Sequence, residues 1–408
     1  MRYGNVSFVT SRARRILPVV PTRSRGRAVI RDPDEDHRAS SPLELLFDLT
    51  AVVAVARAAA ALHHQLAEDH VADAVIGYAA IFFAVWWAWM NFTWFASAHD
   101  SDDVTYRLLT LVQMAGVLVL AAGVTRASED TEYLAVTIGY AIMRVGLASG
   151  WLRVARSEPT MRVRALRYAT GITVLQVLWF ARLALPDDLL LPSLFALAAC
   201  EMLVPVWAER AVDRPVFHAG HIEERYGLFT IIVLGESILS ATMGIQAALD
   251  ESGLTAQLLT IGISGLVIAF AAWWIYFDHP GHLTPTPDMA FRWGYAHVVI
   301  FAALAAAGAG LHLASEASTG HADHRVAALA VALSTAGYLL GLALVMTSAG
   351  IRPTDDRVYP KLGGAVVLVA VGATAPLSLA VAGCAVVMAF LATTMVLSGP
   401  PERQPMEL

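Results

Sequence analysis

Residues 362–398 read LGGAVVLVAVGATAPLSLAVAGCAVVMAFLATTMVLS, thirty-seven positions without one charged side chain. As a single helix the stretch would run about 55 Å, against a bilayer hydrocarbon core of roughly 30 Å that needs about 20 apolar residues. Pro376 interrupts it, and proline breaks the helical hydrogen-bond ladder. The stretch therefore reads as two spans, 362–376 and 378–398. Working back toward the N-terminus, similar apolar runs occupy 43–66, 71–96, 104–124, 132–155, 164–185 and 188–210. Four more lie at 225–247, 254–277, 291–314 and 325–350. The fold predicted is an all-α polytopic membrane protein of about twelve transmembrane helices, eleven if the last pair is one.

Composition agrees. The 408 residues are 57% hydrophobic and only 15% charged, where a soluble domain is nearer a quarter charged. Abundant apolar residues exclude a disordered chain. Two cysteines, Cys200 and Cys384, both inside apolar runs, exclude a disulfide scaffold or a cysteine-based zinc site. A net charge of −6 offers no electrostatic support for a nucleic-acid partner. The expected partner is the lipid bilayer; oligomeric state is not legible.

Orientation follows the basic residues. Nine arginines precede the first span, and fourteen more Lys and Arg fall in the connections and ends on that same side. The opposite loops hold only Arg126, Arg182 and Arg325. Both termini are thus expected in the cytoplasm, with the chain spanning the plasma membrane. The domain reading is a disordered Arg-rich tail (1–42), a first six-helix half (43–210), a cytoplasmic linker with a His/Glu motif (211–224), a second half (225–398) and a short tail (399–408).

The division into halves rests on an internal echo. Residues 83–92 (FAVWWAWMNF) close the second span, and 270–279 (FAAWWIYFDH) close the eighth. Two six-helix halves, each starting and ending on one side, would form a parallel repeat with Asn91 and Asp278 as equivalent positions facing a shared cavity.

Charged groups at membrane depth are costly and mark function. Glu44 and Asp48 share one face of the first span by their i, i+4 spacing. Asp100, Asp102 and Asp103 follow the second span, with Arg107 one turn later; Arg225 opens the seventh span and Glu236 lies deeper in it. Arg292 and Tyr295 open the ninth. Most of these polar residues lie at mid-depth or toward the cytoplasmic side, which predicts a polar chamber open to the cytoplasm.

Four stretches resemble the bacterial low temperature requirement A (LtrA) family. They are PLELLFDL (42–49), DSDDVTYR (100–107), HIEERYGLFTIIVLGES (221–237) and WIYFD (274–278). The similarity runs over roughly 40–400, and Arg57 departs from the neutral residue usual in the first span. The resemblance implies fold and membrane location; the family name records a growth phenotype and implies no reaction.

Three chemistries stay open. In the first, the chamber is catalytic and acts on an isoprenoid or lipid. The pattern D-x-D-D at 100–103 is similar to the acid motif of class II terpene cyclases. Crowded carboxylates raise one another's proton affinity, so Asp102 would donate a proton, tuned by Asp100 and Asp103. Glu236 and Asp48 would sit deeper in the chamber. Trp87, Trp94, Trp274 and Tyr295 would line the site and stabilise a carbocation. Arg107, Arg225 and Arg292, with Glu44 beside them, would hold a prenyl diphosphate, with Mg²⁺ as cofactor. In the second, Glu236, Asp48 and Glu201 couple proton movement to transport of a small solute. In the third, His218, His221 and Glu224 share a helix face and bind a metal with Asp278. The plain structural alternatives are a solvated acidic loop, interfacial Trp anchors, and a polar network that cements the seventh helix.

Overall fold

The computed structural model describes residues 38–210, 217–278 and 287–398. The regular structure there is helical throughout. Twelve α-helices follow in order: α1 (Pro42–Ala67), α2 (Val71–His99), α3 (Val104–Glu129), α4 (Leu134–Ser157), α5 (Arg162–Arg182), α6 (Asp187–Glu209), α7 (Ala219–Ser252), α8 (Ala256–Phe277), α9 (Pro287–Ala317), α10 (His324–Ser348), α11 (Tyr359–Thr374) and α12 (Leu377–Ser398). Ten of them are long and apolar enough to cross a bilayer. The other two differ from the expected spans for separate reasons. α5 opens with Arg162, Arg164 and Arg167, which lower its mean hydropathy; α11 has 16 residues and is about 24 Å long. The chain is a multi-pass membrane protein whose surroundings are lipid.

Local chemistry sets the helix ends. Ser41 and Glu44 form a reciprocal capping box at the start of α1, with Pro42 in the first helical position. Asp103, Thr255 and Asp323 cap α3, α8 and α10 by accepting backbone N–H bonds. The break at Pro376 is where the sequence puts it: Ala375 turns extended (ψ 152°) between α11 and α12.

Two boundaries need correction. The segment 211–224, expected as a linker, is helical from Ala219, because His218 caps α7 by accepting the His221 N–H at 3.0 Å. The tail expected over 1–42 is anchored at its end. Arg38 is buried and donates to the carbonyls of Ala96, at 2.8 Å, and Ser97. Residues 1–37, 211–216 and the 399–408 tail lie outside the described residues.

Part of the packing repeats with an offset of six, although the packing of α8 on α12 has no counterpart between α2 and α6. α1 packs on α3 as α7 does on α9, α3 on α4 as α9 on α10, α4 on α5 as α10 on α11, and α5 on α6 as α11 on α12. Close approach is allowed by glycine, as membrane helices prefer. A Cβ on Gly139 of α4 would lie 2.3 Å from the Leu120 nitrogen of α3, and one on Gly341 of α10 would lie 2.9 Å from the Ile300 nitrogen of α9.

The echoed second and eighth helices do not share an environment. α2 is surrounded by α1, α3, α4, α7 and α9, so Trp86, Trp87 and Trp89 are at most 1% exposed. α8 packs on α7, α9 and α12 and turns Trp273 and Trp274 outward, 47% and 46% exposed. Asn91 is buried and donates to the Trp87 carbonyl, whereas Asp278 is exposed at the end of α8. The expected equivalence of Asn91 and Asp278 across a shared cavity is therefore not realised.

Candidate functional site

Charge concentrates where α1 meets α7. Glu44 and Asp48 lie one turn apart on α1, and His221 and Arg225 one turn apart on α7, so the i, i+4 spacing on both helices sets two pairs face to face. All four are at most 1% exposed. Arg225 forks onto Asp48, Nε donating to Oδ2 at 3.1 Å and Nη2 to Oδ1. Trp89 of α2 donates its indole N–H to Asp48 Oδ1 at 2.7 Å, and the Phe92 ring lies 5.8 Å from the guanidinium carbon. Glu44 Oε1 has His221 Nε2 and Arg225 Nη1 each at 3.3 Å, and Arg38 Nη2 at 3.9 Å. None of these contacts has hydrogen-bond geometry, so Glu44 Oε1, both His221 ring nitrogens and Arg225 Nη1 are left without a hydrogen bond. The ion-pair distances describe attraction; the missing bonds show that it is incompletely directed.

A third buried carboxylate belongs to α6. Glu201 Oε2 accepts from Trp87 Nε1 at 3.0 Å and from Arg144; Oε1 accepts from the Tyr140 hydroxyl at 3.1 Å and Trp179 Nε1 at 3.3 Å. Glu236 is different again. It lies midway along α7, half-buried, and has no hydrogen bond or ion pair among the described residues.

The acidic loop does not form the shared-proton triad expected of it. Asp100 ends α2 and accepts the Asp102 N–H at 2.9 Å, which stabilises a left-handed Asp102 (φ 45°). The Asp102 carboxylate is 62% exposed and forked by Arg107, with contacts of 2.8 and 2.9 Å. Asp103 caps α3 through Tyr106 N–H at 2.9 Å and pairs with Arg153. Partial burial pushes the Asp103 carboxyl up, but the Tyr106 N–H and Arg153 outweigh it and hold it below the ordinary value. Each aspartate thus has its own donor, and the crowding that would create an acid is relieved.

The other expected site residues are dispersed by packing. Trp94 donates to the Tyr226 hydroxyl at 3.0 Å, and Tyr295 to the Met202 carbonyl at 2.9 Å. Trp274 faces outward, and Arg292 is exposed on α9. Among the described residues, His218, His221, Glu224 and Asp278 do not gather as metal ligands. His218 caps α7, His221 turns to Glu44, Glu224 accepts the Ser40 N–H at 3.2 Å, and Asp278 ends α8.

No large chamber is seen at this end among the described residues. Cavities here measure about 30 Å³, beside Asn91, Arg164 and Glu209, and about 10 Å³, beside His99 and Arg153. Ligand pockets run to several hundred Å³. A larger void, about 110 Å³, is apolar and lies between α7, α8 and α9 around Ser237 and Leu311.

Spacing could flag Glu44 with Asp48, and His221 with Arg225, but no sequence signal joins residues 177 positions apart, as Arg225 and Asp48 are. His63 and His312 stand out in the sequence as polar residues of the outer side, but their gathering with Glu316 at the far end of α1 and α9 does not.

A curated relative, the uncharacterized protein RA0937 of Rhizobium meliloti (strain 1021), is 26% identical over 260 residues, 62% of this chain and 61% of that protein. The chain thus spans about three fifths of the length of the relative it matches. The family comparison covers the whole described bundle, from the α1 carboxylates to the last helix: residues 39–398 match the bacterial low temperature requirement A protein (LtrA) family, and the chain belongs to it.

Proposed function

We propose that this protein is a proton-coupled secondary transporter of a small solute, with Glu236 as the proton-carrying group. The observation that carries the reading is the placement of Glu236: a half-buried carboxyl at the midpoint of a 34-residue apolar helix, with no partner among the described residues. Ionisable groups at membrane depth mark proton relays in pumps and transporters, and a carboxyl with no fixed partner is free to take up and release a proton. In this reading the Glu44–Asp48–Arg225–His221 cluster is the seam at which two halves move against each other. The architecture proposed is twelve spans in two parallel six-helix halves, both termini cytoplasmic, in the bacterial cytoplasmic membrane. The six-helix offset in packing and the one-sided arginines support it.

The catalytic alternative, a D-x-D-D cyclase of prenyl diphosphates with Mg²⁺, has less behind it. Its proton donor Asp102 is exposed and held by Arg107, and the volume for a substrate is small.

The test uses everted membrane vesicles carrying wild-type protein or Glu236→Gln, energised to a pH gradient that a fluorescent amine reports. A panel of inorganic cations, organic cations, amino acids and organic acids is added in turn. The expected result is collapse of the gradient by one solute class in wild type and none in Glu236→Gln at equal expression. Equal collapse by both proteins removes Glu236 as the coupling group. No collapse by any solute, together with a cyclic product from geranylgeranyl diphosphate and Mg²⁺, would overturn transport in favour of catalysis.

A further inference from the structure

We propose that His63, His312 and Glu316 form a binding site for a divalent transition metal, Zn²⁺ by its ligand set, that joins α1 to α9. The site lies at the opposite end of α1 from Glu44 and is independent of the transport reading.

The geometry comes from two helices. His312 and Glu316 are i, i+4 on α9 and share a face, and His63 reaches them from the last turns of α1. The three ligand atoms all lie within 4.8 Å of one another. Each oxygen of the one carboxylate faces a different imidazole: Oε2 is 2.9 Å from His63 Nε2, and Oε1 is 3.7 Å from His312 Nε2. Tetrahedral ligands bonded at 2.0–2.1 Å sit about 3.3 Å apart, so small rotations of existing side chains would seat an ion. The two imidazoles stack, centroids 4.0 Å apart and 21° from parallel. Stacked rings at that separation suit neutral imidazoles, the form that binds metal, better than two cations.

The site is held rather than loose. α7 comes so close that a Cβ on Gly244 would be 2.5 Å from His312 Cδ2, which fixes the imidazole from behind. The three side chains are 14%, 19% and 29% exposed for His63, His312 and Glu316, leaving one side for a water or a fourth ligand. Two imidazoles and a carboxylate select a borderline cation over Mg²⁺ or Ca²⁺, which prefer all-oxygen sites. Bound metal would tie the first half of the bundle to the second at the end away from the charged α1–α7 seam.

The test uses full-length protein in detergent, stripped with EDTA and titrated with Co²⁺ and then Zn²⁺. A visible Co²⁺ band that saturates at one ion per chain and is displaced by Zn²⁺ is expected, with a Zn²⁺-dependent rise in melting temperature that EDTA reverses. His63→Ala and His312→Ala should abolish the band. Glu316→Gln should weaken binding by at least the roughly tenfold to hundredfold typical of losing an outer-shell partner. His70→Ala, whose imidazole lies beside Glu68 and outside the cluster, should change nothing. Monodisperse elution of each variant separates loss of metal from loss of fold, and the EDTA-reversible shift in wild type needs no variant. No band and no shift in wild type would mean that the cluster is only an imidazole–carboxylate hydrogen bond and overturn the proposal. A full-strength band in both His63→Ala and His312→Ala would overturn it as well.

Discussion

Glu201 and Glu44 are buried equally, 0% and 1% exposed, yet their oxygens are used differently. Glu201 takes four donors, two on each oxygen, from α2, α4, α5 and the arginine beside it. Glu44 Oε1 sits among two guanidinium groups and an imidazole and accepts no directed bond. A saturated carboxylate costs several hydrogen bonds to disturb, whereas an under-bonded one can change partners at small cost. The two sites share α2, which sends Trp87 to Glu201 and Trp89 to Asp48. One face of α2 is therefore a lock against α4, α5 and α6, and another borders the α1–α7 contact.

The largest expected effect breaks the seam outright. Arg225→Met leaves Asp48 and Glu44 buried without their main counter-charge and should cost about 3–5 kcal/mol. Its readout is failure to elute as a monodisperse species. Adding Asp48→Asn should recover part of the loss, because the two residues form one interacting unit. A single Arg225→Met that melts like wild type would show that the seam carries no charge burden.

The next sharpens the contrast itself. Glu201→Gln replaces an acceptor of four donors by a group that must turn an N–H₂ toward some of them, costing about 2–3 kcal/mol. Glu44→Gln should cost about 1 kcal/mol by the same measure, denaturation in matched micelles. Equal costs would erase the distinction. Below that, Trp87→Phe and Trp89→Phe each delete one indole bond to a carboxylate and should cost about 1.5 kcal/mol apiece. Trp274→Phe, in the echoed motif but facing outward, should stay within about 0.5 kcal/mol.

The smallest effect concerns a charge outside the spans. The folded Asp103 carboxyl lies below its unfolded value, so its ion pair stabilises above about pH 4 and that contribution is lost as pH falls through the depressed value. Asp103→Asn keeps the cap and removes the charge. Its deficit at neutral pH should stay within about 1 kcal/mol, given solvent screening, and should close on acidification. A deficit constant from pH 7 to pH 3 would assign the effect to capping alone.

The spans were legible because few structures other than a membrane helix can accommodate twenty apolar residues in a row. The break at Pro376 was legible for an equally local reason. The site was legible only in parts. Glu44 with Asp48 and His221 with Arg225 follow from spacing on their own helices; that they meet does not, since partners on separate helices leave no period. Arg144 and Glu201 stand at similar depth by sequence, but their union needs α5, packed on both α4 and α6, to bring the two helices within side-chain reach. The tryptophan motif misleads for the same reason: identical letters on α2 and α8 say nothing of how many neighbours surround each helix. The acidic loop misleads differently. Three aspartates in four positions suggest mutual repulsion, and only the tertiary fold brings Arg153 to Asp103.

Gly139 and Gly341 have a mechanical consequence. With backbone almost touching backbone, α3–α4 and α9–α10 cannot slide or part without losing contact along their length. Each pair behaves as a stiff beam. Bending is then expected elsewhere, at contacts such as α1–α7, where Arg225 crosses to Asp48 and the bonds around Glu44 are half made.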